Sequence, residues 1–336
     1  MLQNLSLSLD KYKFIDLFAG IGGFRLALES LGAECVFSSE WDKHCQTVYQ
    51  KNFGEIPVGD ITEINEKDIP EHNILCAGIP CQPFSISGSK RGFEDTRGTL
   101  FFDVARITKE KKPEVVFIEN VKNLVKHDNG RTLNIMLETL DKIGYNSFWQ
   151  IIDSSKYNIP QKRERIFIVA FRKDLDINEF TFPAENNDIK TVKEILLDNS
   201  ETNEMFFKNL KTIPEKIEDI DFSDKPKQIA KINKGRQGER IYSVNAPGIT
   251  ISATGGGVFS KTGGYYIDGC VRKLHPRECA RMMGFPEEFK LHDSVQTATK
   301  QFGNSVVVDV VQLIADRIGK TLAENFKKEH NFCDII

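Results

Sequence analysis

The chain has 336 residues, 40% of them hydrophobic and 28% charged, with a formal net charge of −3. This composition predicts a soluble globular protein of two domains and excludes one that is basic throughout. No apolar run reaches the roughly 20 residues of a membrane-spanning helix, so we expect no membrane partner. The N-terminus is a poor secretion signal, and the seven cysteines show no C-x-x-C pairing. Reduced thiols and a cytoplasmic location are therefore expected.

Strand and helix patterns alternate over the first half of the chain. Short apolar runs predict strands at 13–19, 33–40, 73–80, 114–121 and 165–171. Apolar residues at helical spacing predict helices at 24–32, 41–54, 99–112 and 130–144. This alternation predicts an α/β fold with an open, mostly parallel sheet and helices on both faces.

The pattern fades after residue 183 and returns near the C-terminus. A glycine-rich stretch with short β-type runs precedes a strongly periodic helix predicted at 305–326. We therefore predict one domain formed by 1–183 and 304–336. A smaller domain, rich in loops and strands, is predicted at 184–303.

Charge is segregated within the second predicted domain. Residues 225–240 hold six Lys or Arg against one Glu, whereas 194–224 hold nine acidic residues against three basic ones. Such a basic run is typical of a phosphate-binding face. Two solvated surface runs would give the same pattern, so charge alone leaves both interpretations open.

The segment FAGIGG (18–23) follows a predicted strand and opens a predicted helix. Its glycines permit a tight turn and the close approach of a ligand to helix amides. Glu40, at the end of the next strand, is placed to accept hydrogen bonds from ribose hydroxyls. Trp41 offers a flat face to adenine, and Asp60 is within reach of its amino group. The turn alone indicates a nucleoside ligand; a nicotinamide dinucleotide or plain tight packing remains open.

Cys81 lies in the segment GIPCQPFSISG (78–88), directly after a predicted buried strand. Pro80 and Pro83 favour a loop at the carboxyl edge of the sheet, where ligands bind. A thiol there is either a reactive nucleophile or a small apolar residue, and the residue alone does not decide between the two. For Cys35, Cys76 and Cys279 we favour the buried, apolar interpretation.

Charged residues stand at two further strand ends. Glu119 ends one apolar run, where a carboxyl group can donate or accept a proton. A glutamate at a strand end is more commonly a solvated surface residue without such a role. Arg163 and Arg165 precede another run and lie on one side of the extended chain. They are typical of a site that holds a carboxylate, a phosphate or a polar base edge, or of a surface charge run.

Taken in order, these motifs resemble those of the cytosine-5 DNA methyltransferases. The resemblance is carried by FAGIGGF, PCQPFSISG, ENV, QKRERIF, the glycine-rich stretch and QFGNSV, and it is weakest at 184–224. It implies an S-adenosylmethionine-dependent methyltransferase fold with a catalytic, cofactor-binding domain and a target-recognition domain. Long runs of the sequence resemble the bacterial type II modification methylases specific for GCGC. This resemblance implies that the chain acts on double-stranded DNA at that site. The resemblance also implies a restriction endonuclease that acts on the same site and forms no stable complex with this protein.

The resemblance also implies a mechanism and a set of site residues. The Cys81 thiolate would add to C6 of a cytosine flipped out of the duplex, with Glu119 at ring N3, Arg165 on the base carbonyl and Arg163 supporting the thiolate. No metal is expected. The cofactor would be bound by Phe18, Gly20, Gly22, Gly23, Glu40, Trp41, Asp60, Ile61, Pro80, Leu100 and Asn304. DNA would be bound by Ser85, Ser87, Gln237, Arg240, Thr250, Gly256 and Gly257.

Two residues of the recognition region, Arg236 and Thr254, depart from the pattern of the GCGC-specific members. They bear on the recognition sequence and leave the chemistry unchanged. Three alternatives remain open at this point: a tRNA cytosine-5 methyltransferase, a non-catalytic DNA-binding relative and a nicotinamide oxidoreductase.

Overall fold

A six-stranded sheet forms the larger part of the protein. The computed structural model describes residues 8–80, 100–186, 188–198, 200–202 and 217–333, with side chains as far as residue 326. The strands are β1 (Lys13–Leu17), β2 (Glu34–Ser39), β3 (Ile74–Gly78), β4 (Val115–Val121), β5 (Tyr145–Asp153) and β6 (Glu164–Arg172). Their order is β2-β1-β3-β4-β6-β5. The first four strands of this order are parallel, and β6 runs antiparallel to both β4 and β5.

Helices cover both faces of this sheet. The described helices are α1 (Gly23–Glu29), α2 (Lys43–Phe53), α3 (Leu100–Lys111), α4 (Arg131–Lys142), α5 (Pro276–Met282), α6 (Val295–Asn304) and α7 (Val308–Cys333). Successive strand residues point to opposite faces, so Phe14 joins the core with α1 and α7, whereas Ile15 joins the core with α3 and α4. Burial on both faces explains why these strands read as continuous apolar runs.

A second, four-stranded sheet is built from β7 (Gln228–Lys231), β8 (Arg240–Ser243), β9 (Gly264–Ile267) and β10 (Cys270–Arg272). Their order is β10-β9-β8-β7, with β8 and β9 parallel and the outer pairs antiparallel. A small core beneath it contains Ile232, Ile241, Phe259 and Val271. β8 and β9 lie within the glycine-rich stretch 235–269 in which short β-type runs were expected, whereas β7 and β10 lie just outside it.

The sequence predictions of the fold class and of most first-half elements are confirmed. Asp42 caps α2 by accepting hydrogen bonds from the amides of His44 and Cys45, and Gly54 ends it with φ of 79°. The strands β5, β7 and β10 were not predicted, nor were the helices α5 and α6 within the region expected to be mainly loops and strands. Cys76 and Cys279 are buried as expected, whereas Cys35 is half-buried. Among the described residues, no helix is both long and apolar enough to cross a membrane.

A buried ion pair joins the second sheet to α5. Arg272 donates from Nη1 and Nη2 to the two carboxylate oxygens of Glu278, each at 2.7 Å, and both side chains are fully buried. Glu278 also accepts from the amides of Leu197 at 2.9 Å and His275 at 2.7 Å. Four donors therefore satisfy a carboxylate that water does not reach.

Replacing Glu278 with glutamine is expected to lower the free energy of unfolding by about 3–5 kcal/mol, because the guanidinium of Arg272 loses its counter-charge while it stays buried. Urea denaturation of the whole chain measures this difference. Glu287→Gln is the matched control, since Glu287 pairs with Arg281 at the surface and should cost about 1 kcal/mol or less. Equal losses of unfolding free energy in the two variants would contradict the larger contribution assigned to the buried pair.

Candidate active site

The carboxyl ends of the parallel strands and the start of β6 meet at one edge of the large sheet. Because β6 is antiparallel to β4, its first residues lie beside the last residues of β4: Val121 pairs with Arg165 and Glu119 with Phe167. The antiparallel direction of β6, which the sequence analysis did not foresee, therefore brings the arginine pair to the end of β4 that holds Glu119.

Glu119 and Arg165 form an ion pair at this edge. Arg165 Nε lies 3.1 Å from Glu119 Oε1, and both side chains are largely buried. Burial raises the pKa of the Glu119 carboxyl above its usual range, and the neighbouring Arg165 and Arg163 oppose that rise. A carboxyl group with a raised pKa keeps more of its proton near neutrality, which suits a proton donor.

Arg163 is buried and contacts main-chain carbonyls. Its Nη1 donates to Ile251 O at 3.0 Å, and its Nη2 donates to Gly303 O at 3.1 Å and Ser305 O at 2.6 Å. Burial, followed by the charge of Arg165, lowers the pKa of this guanidinium. The partners of Arg163 among the described residues therefore lie on two segments remote in sequence. The expected support of a thiolate is not tested, since Cys81 lies outside the described residues.

The chain reaches this edge just before Cys81. Asn120 donates from Nδ2 to Ile79 O at 3.2 Å, which fixes the end of β3 against the end of β4. Pro80 follows, exposed at the surface. Cys81, Ser85 and Ser87 themselves lie outside the described residues. Asn120 was quoted in a motif without a role, and its position next to Glu119 was the only signal for one.

The glycine turn contacts Glu40. Gly20 N donates to Glu40 Oε2 and Asp42 N donates to Glu40 Oε1, each at 2.8 Å. Phe18, at the start of the turn, has the left-handed φ of 58°, which is unusual for a phenylalanine and marks a strained turn. Each Glu40 oxygen keeps a lone pair for a second donor, so ribose hydroxyls can be added to these contacts.

Trp41 follows Glu40 directly in the chain, and the segment that leads to Asp60 is bonded to the backbone of Glu40. The amide of Glu40 donates to Val58 O at 2.9 Å, which brings the segment with Asp60 beside it. Trp41 is 71% exposed, an unusual state for so large an apolar ring. Asp60 accepts from Thr62 at the start of a short turn that contains the buried Ile61. An exposed ring flanked by carboxylates fits an adenine nucleoside.

The three glycines of the turn differ in their surroundings. A Cβ at Gly20 would meet no atom within 4 Å, so this position faces open space. A Cβ at Gly22 would lie 2.3 Å from the Phe53 ring, and one at Gly23 would lie 2.7 Å from Val306 Cγ2. Gly22 and Gly23 therefore allow the turn to pack against the rest of the domain, and Gly20 is the one with space for a ligand.

The remaining residues expected at the cofactor lie at helix ends. Leu100 is half-buried at the start of α3, and Asn304 is exposed at the last position of α6. Among the described residues, no group of three or more His, Cys, Asp or Glu side chains could hold a metal ion.

Two loops of the second sheet are packed backbone to backbone. A Cβ at Gly238 would lie 1.9 Å from Gly256 O, and Phe259 N donates to Gly238 O at 2.8 Å. This close approach brings Gln237, which is exposed, near Gly256 and Gly257, a contact that the sequence did not predict. Arg240 is exposed as well, and its Nε donates to Gly235 O at 3.2 Å, which anchors the guanidinium beside the same turn.

Thr250 contacts the segment that directly precedes β6. Its Oγ1 donates to Lys162 O at 2.6 Å, and Lys162 N donates to Gly248 O at 2.8 Å. The buried Gln161 accepts from Ile251 N at 3.0 Å through Oε1. In the sequence analysis, Gln161 was given no role of its own. Its place in the motif QKRERIF was the available signal for one.

All six cationic side chains of the basic run 225–240 are exposed: Lys225, Lys227, Lys231, Lys234, Arg236 and Arg240. None of the six forms an ion pair with another residue that the structure describes. A run of exposed cations suits a polyanionic partner, whose phosphates would meet these charges directly.

Comparison with known proteins identifies the family to which the chain is similar. Residues 12–320 match the family model described as C-5 cytosine-specific DNA methylase. The chain is 54% identical to the type II methyltransferase M.HhaI of Haemophilus parahaemolyticus, over 97% of this chain and 99% of that protein. It is 42% identical to the type II methyltransferase M.NgoBI of Neisseria gonorrhoeae, over 90% and 91%.

A solved structure, the Dnmt2 methyltransferase of S. pombe, superimposes with a TM-score of 0.69 at 19% identity. The match covers 94% of this chain and 99% of the other. At this level of identity the likeness concerns the fold, and it agrees with the predicted methyltransferase architecture.

Proposed function

The chain belongs to the family of C-5 cytosine-specific DNA methylases and methylates cytosine at C5 in DNA, and from this premise we propose its target sequence, its mechanism and the residues responsible. The proposed target is GCGC in double-stranded DNA, as the modification half of a restriction-modification system. The observation that carries the proposal is the pairing of Glu119 with Arg165 at the sheet edge that leads into Cys81.

The proposed reaction begins at Cys81. Its thiolate adds to C6 of a cytosine flipped out of the duplex, which makes C5 nucleophilic. Glu119 donates its proton, or a hydrogen bond, to ring N3 and so stabilises the charge that develops there. Arg165 holds the base carbonyl while paired with Glu119. C5 then takes up the methyl group, after which loss of the C5 proton and expulsion of the thiolate release the methylated base; no residue is assigned as the acceptor of this proton.

The family uses S-adenosylmethionine, which when bound supplies an electrophilic methyl group on its sulfonium centre. We propose that Glu40 accepts hydrogen bonds from the ribose, that the exposed ring of Trp41 stacks on adenine, and that Asp60 accepts from the adenine amino group. Gly20 leaves room for this ligand. The other proposed contacts are Phe18, Gly22, Gly23, Ile61, Pro80, Leu100 and Asn304.

The DNA is proposed to lie between the sheet edge and the recognition loops. Gln237 and Ser87 would fill the gap left by the flipped cytosine, with Ser85, Thr250, Gly256 and Gly257 close to the target strand. The basic run 225–240 would contact phosphates. The glycine-rich recognition region, which a tRNA methylase of the same fold would not need, favours duplex DNA over the tRNA alternative. The intact set of Glu119, Arg163 and Arg165 favours catalysis over a non-catalytic binding protein.

Arg240 is proposed to recognise a guanine edge, since a guanidinium matches the O6 and N7 acceptors. Arg240→Ala should lower discrimination between GCGC and single-base variants by about 1–3 kcal/mol, or roughly 5- to 150-fold. Competition binding with matched duplexes measures it. Lys227→Ala, in the same basic run, is the control and should weaken binding to all duplexes alike. If Arg240→Ala also weakens all duplexes equally, Arg240 is a phosphate contact and this assignment is wrong.

Bisulfite sequencing of DNA treated with the purified protein and S-adenosylmethionine tests the proposal as a whole. Methylated cytosine confined to GCGC is the expected outcome. Methylation at a different sequence would refute the target, with Arg236 and Thr254 as the first residues to substitute. Methylation of tRNA without methylation of the duplex would support the alternative substrate.

A further inference from the structure

Arg163 holds together parts of the protein that are far apart in sequence. Its guanidinium lies at the start of β6 and donates to carbonyls at residue 251 and at residues 303 and 305. Only 3% of the residue is exposed. The two acceptor segments have different neighbours. Gly303 and Ser305 lie on either side of Asn304, whereas Ile251 directly follows Thr250.

The same segments touch through their backbones. A Cβ at Gly303 would lie 2.3 Å from Ala253 N and 2.4 Å from Ser252 C, so only glycine allows α6 to approach residues 252–253 this closely. On the other side, residues 160–162 exchange four hydrogen bonds with residues 248–251. We call the set formed by residues 160–163, 248–253 and 303–305 the arginine junction.

The arginine junction connects three proposed sites. Asn304 is a proposed cofactor contact and Thr250 is a proposed DNA contact. Arg165, two residues after Arg163, is paired with the proposed proton donor Glu119. A displacement of residues 250–253 would therefore act directly on carbonyls beside Asn304, because one guanidinium binds both.

We propose that Arg163 is a positioning residue that couples DNA binding to cofactor binding, by fixing the DNA-side segment 250–253 and the cofactor-side segment 303–305 relative to each other. This proposal rests on the proposed function, which supplies the roles of Thr250 and Asn304. Coupling of two sites requires that each ligand favour the same arrangement of a shared element, and the arginine junction is that element.

The natural fluorescence of the chain gives a direct measurement. The protein has two tryptophans, and Trp149→Phe leaves Trp41 as the reporter beside the proposed cofactor site. S-adenosylhomocysteine, the product left when S-adenosylmethionine has given up its methyl group, is titrated with and without a saturating GCGC duplex. The ratio of the two dissociation constants is the coupling factor. Titrating the duplex with and without S-adenosylhomocysteine must return the same factor.

In the Trp149→Phe parent we expect a coupling factor of about 5 or more, within the range common for linked sites. Arg163→Met should bring the factor to within twofold of one. Gly303→Ala should lower it too, although Arg163 is intact, because the added Cβ forces residues 252–253 away from α6. Arg172→Met is the matched control at the opposite end of β6, where Arg172 pairs with Asp174, and it should keep the parent factor.

A parent factor retained in both Arg163→Met and Gly303→Ala would overturn the proposal, as would a parent factor near one. Thermal unfolding shows whether each variant is folded; if Arg163→Met is not, Gly303→Ala decides. Bisulfite sequencing of the parent separates the proposed function from the coupling role of Arg163. Methylation at GCGC by the parent, together with an unchanged coupling factor in the variants, defeats only the role of Arg163. Absence of cytosine methylation would defeat the function on which it rests.

Discussion

Cys81→Ser is expected to lower methyl transfer by about a thousandfold or more while duplex DNA is still bound. A serine hydroxyl is almost never ionised near neutral pH, so it cannot replace a thiolate as the group that adds to C6. The contacts proposed for DNA involve other residues, so binding should survive. Transfer of a radioactive methyl group to a GCGC duplex and a gel-shift titration measure the two quantities.

Cys270→Ser is the matched control for this experiment. Cys270 is an exposed free thiol at the start of β10, and its loss should leave activity unchanged. A duplex with 5-fluorocytosine at the target adds a second measurement, because fluorine cannot leave C5 as a proton does and the adduct with the enzyme accumulates. Adduct formation by Cys81→Ser, or methyl transfer within tenfold of the parent, would refute the covalent route through Cys81.

The fold was predictable from the sequence where local signals and burial agree. Strands buried on both faces give uninterrupted apolar runs, and α2 has both a capping Asp42 and a terminating Gly54. Glu40 and Trp41 were predictable for the same reason, since a residue at the end of a parallel strand lies at the ligand-binding edge. The parts of the site built from such local rules are those that sequence reasoning placed.

Contacts between distant segments could not be predicted in this way. β5 has polar residues interrupting its apolar ones at a sheet edge, and it pairs antiparallel with β6, which itself runs opposite to β4. The acceptors of Arg163 are backbone carbonyls, which every residue has, so no sequence signal marks Ile251 or Gly303 as its partners. Gly303 likewise reads as an ordinary helix residue until its distance to residues 252–253 is known.

The domain boundaries remain predictions. The described residues of 304–326 pack on α1 in the core of the large sheet, which agrees with the expected return of the C-terminal segment. The residues of the arginine junction come from both predicted domains, and they lie where a boundary at residue 303 was drawn. A boundary there separates Gly303 from Ser305, although one guanidinium holds both.

Glu119→Gln is expected to lower the maximal rate of methyl transfer by about 10²- to 10⁴-fold, the usual contribution of a general acid. Glutamine keeps the size of the side chain and can still donate a hydrogen bond, but it has no acidic proton to give to N3. Single-turnover methyl transfer measures the chemical step. Glu164→Gln, which changes the carboxylate paired with Lys122 at the neighbouring surface, is the control and should stay near the parent rate.

The pH dependence separates proton donation from mere hydrogen bonding. Burial raises the pKa of Glu119, so the protonated form persists to higher pH than in an exposed glutamate. The activity that depends on this proton is present below the raised pKa and is lost as pH rises through it. Stability has the same sign, since a carboxyl whose pKa is raised on folding favours the folded state at low pH and loses that advantage as pH increases. The parent rate should therefore fall on the alkaline side with a limb that Glu119→Gln lacks. An identical alkaline limb in the variant would assign the titration to another group and leave Glu119 as a hydrogen-bond donor only.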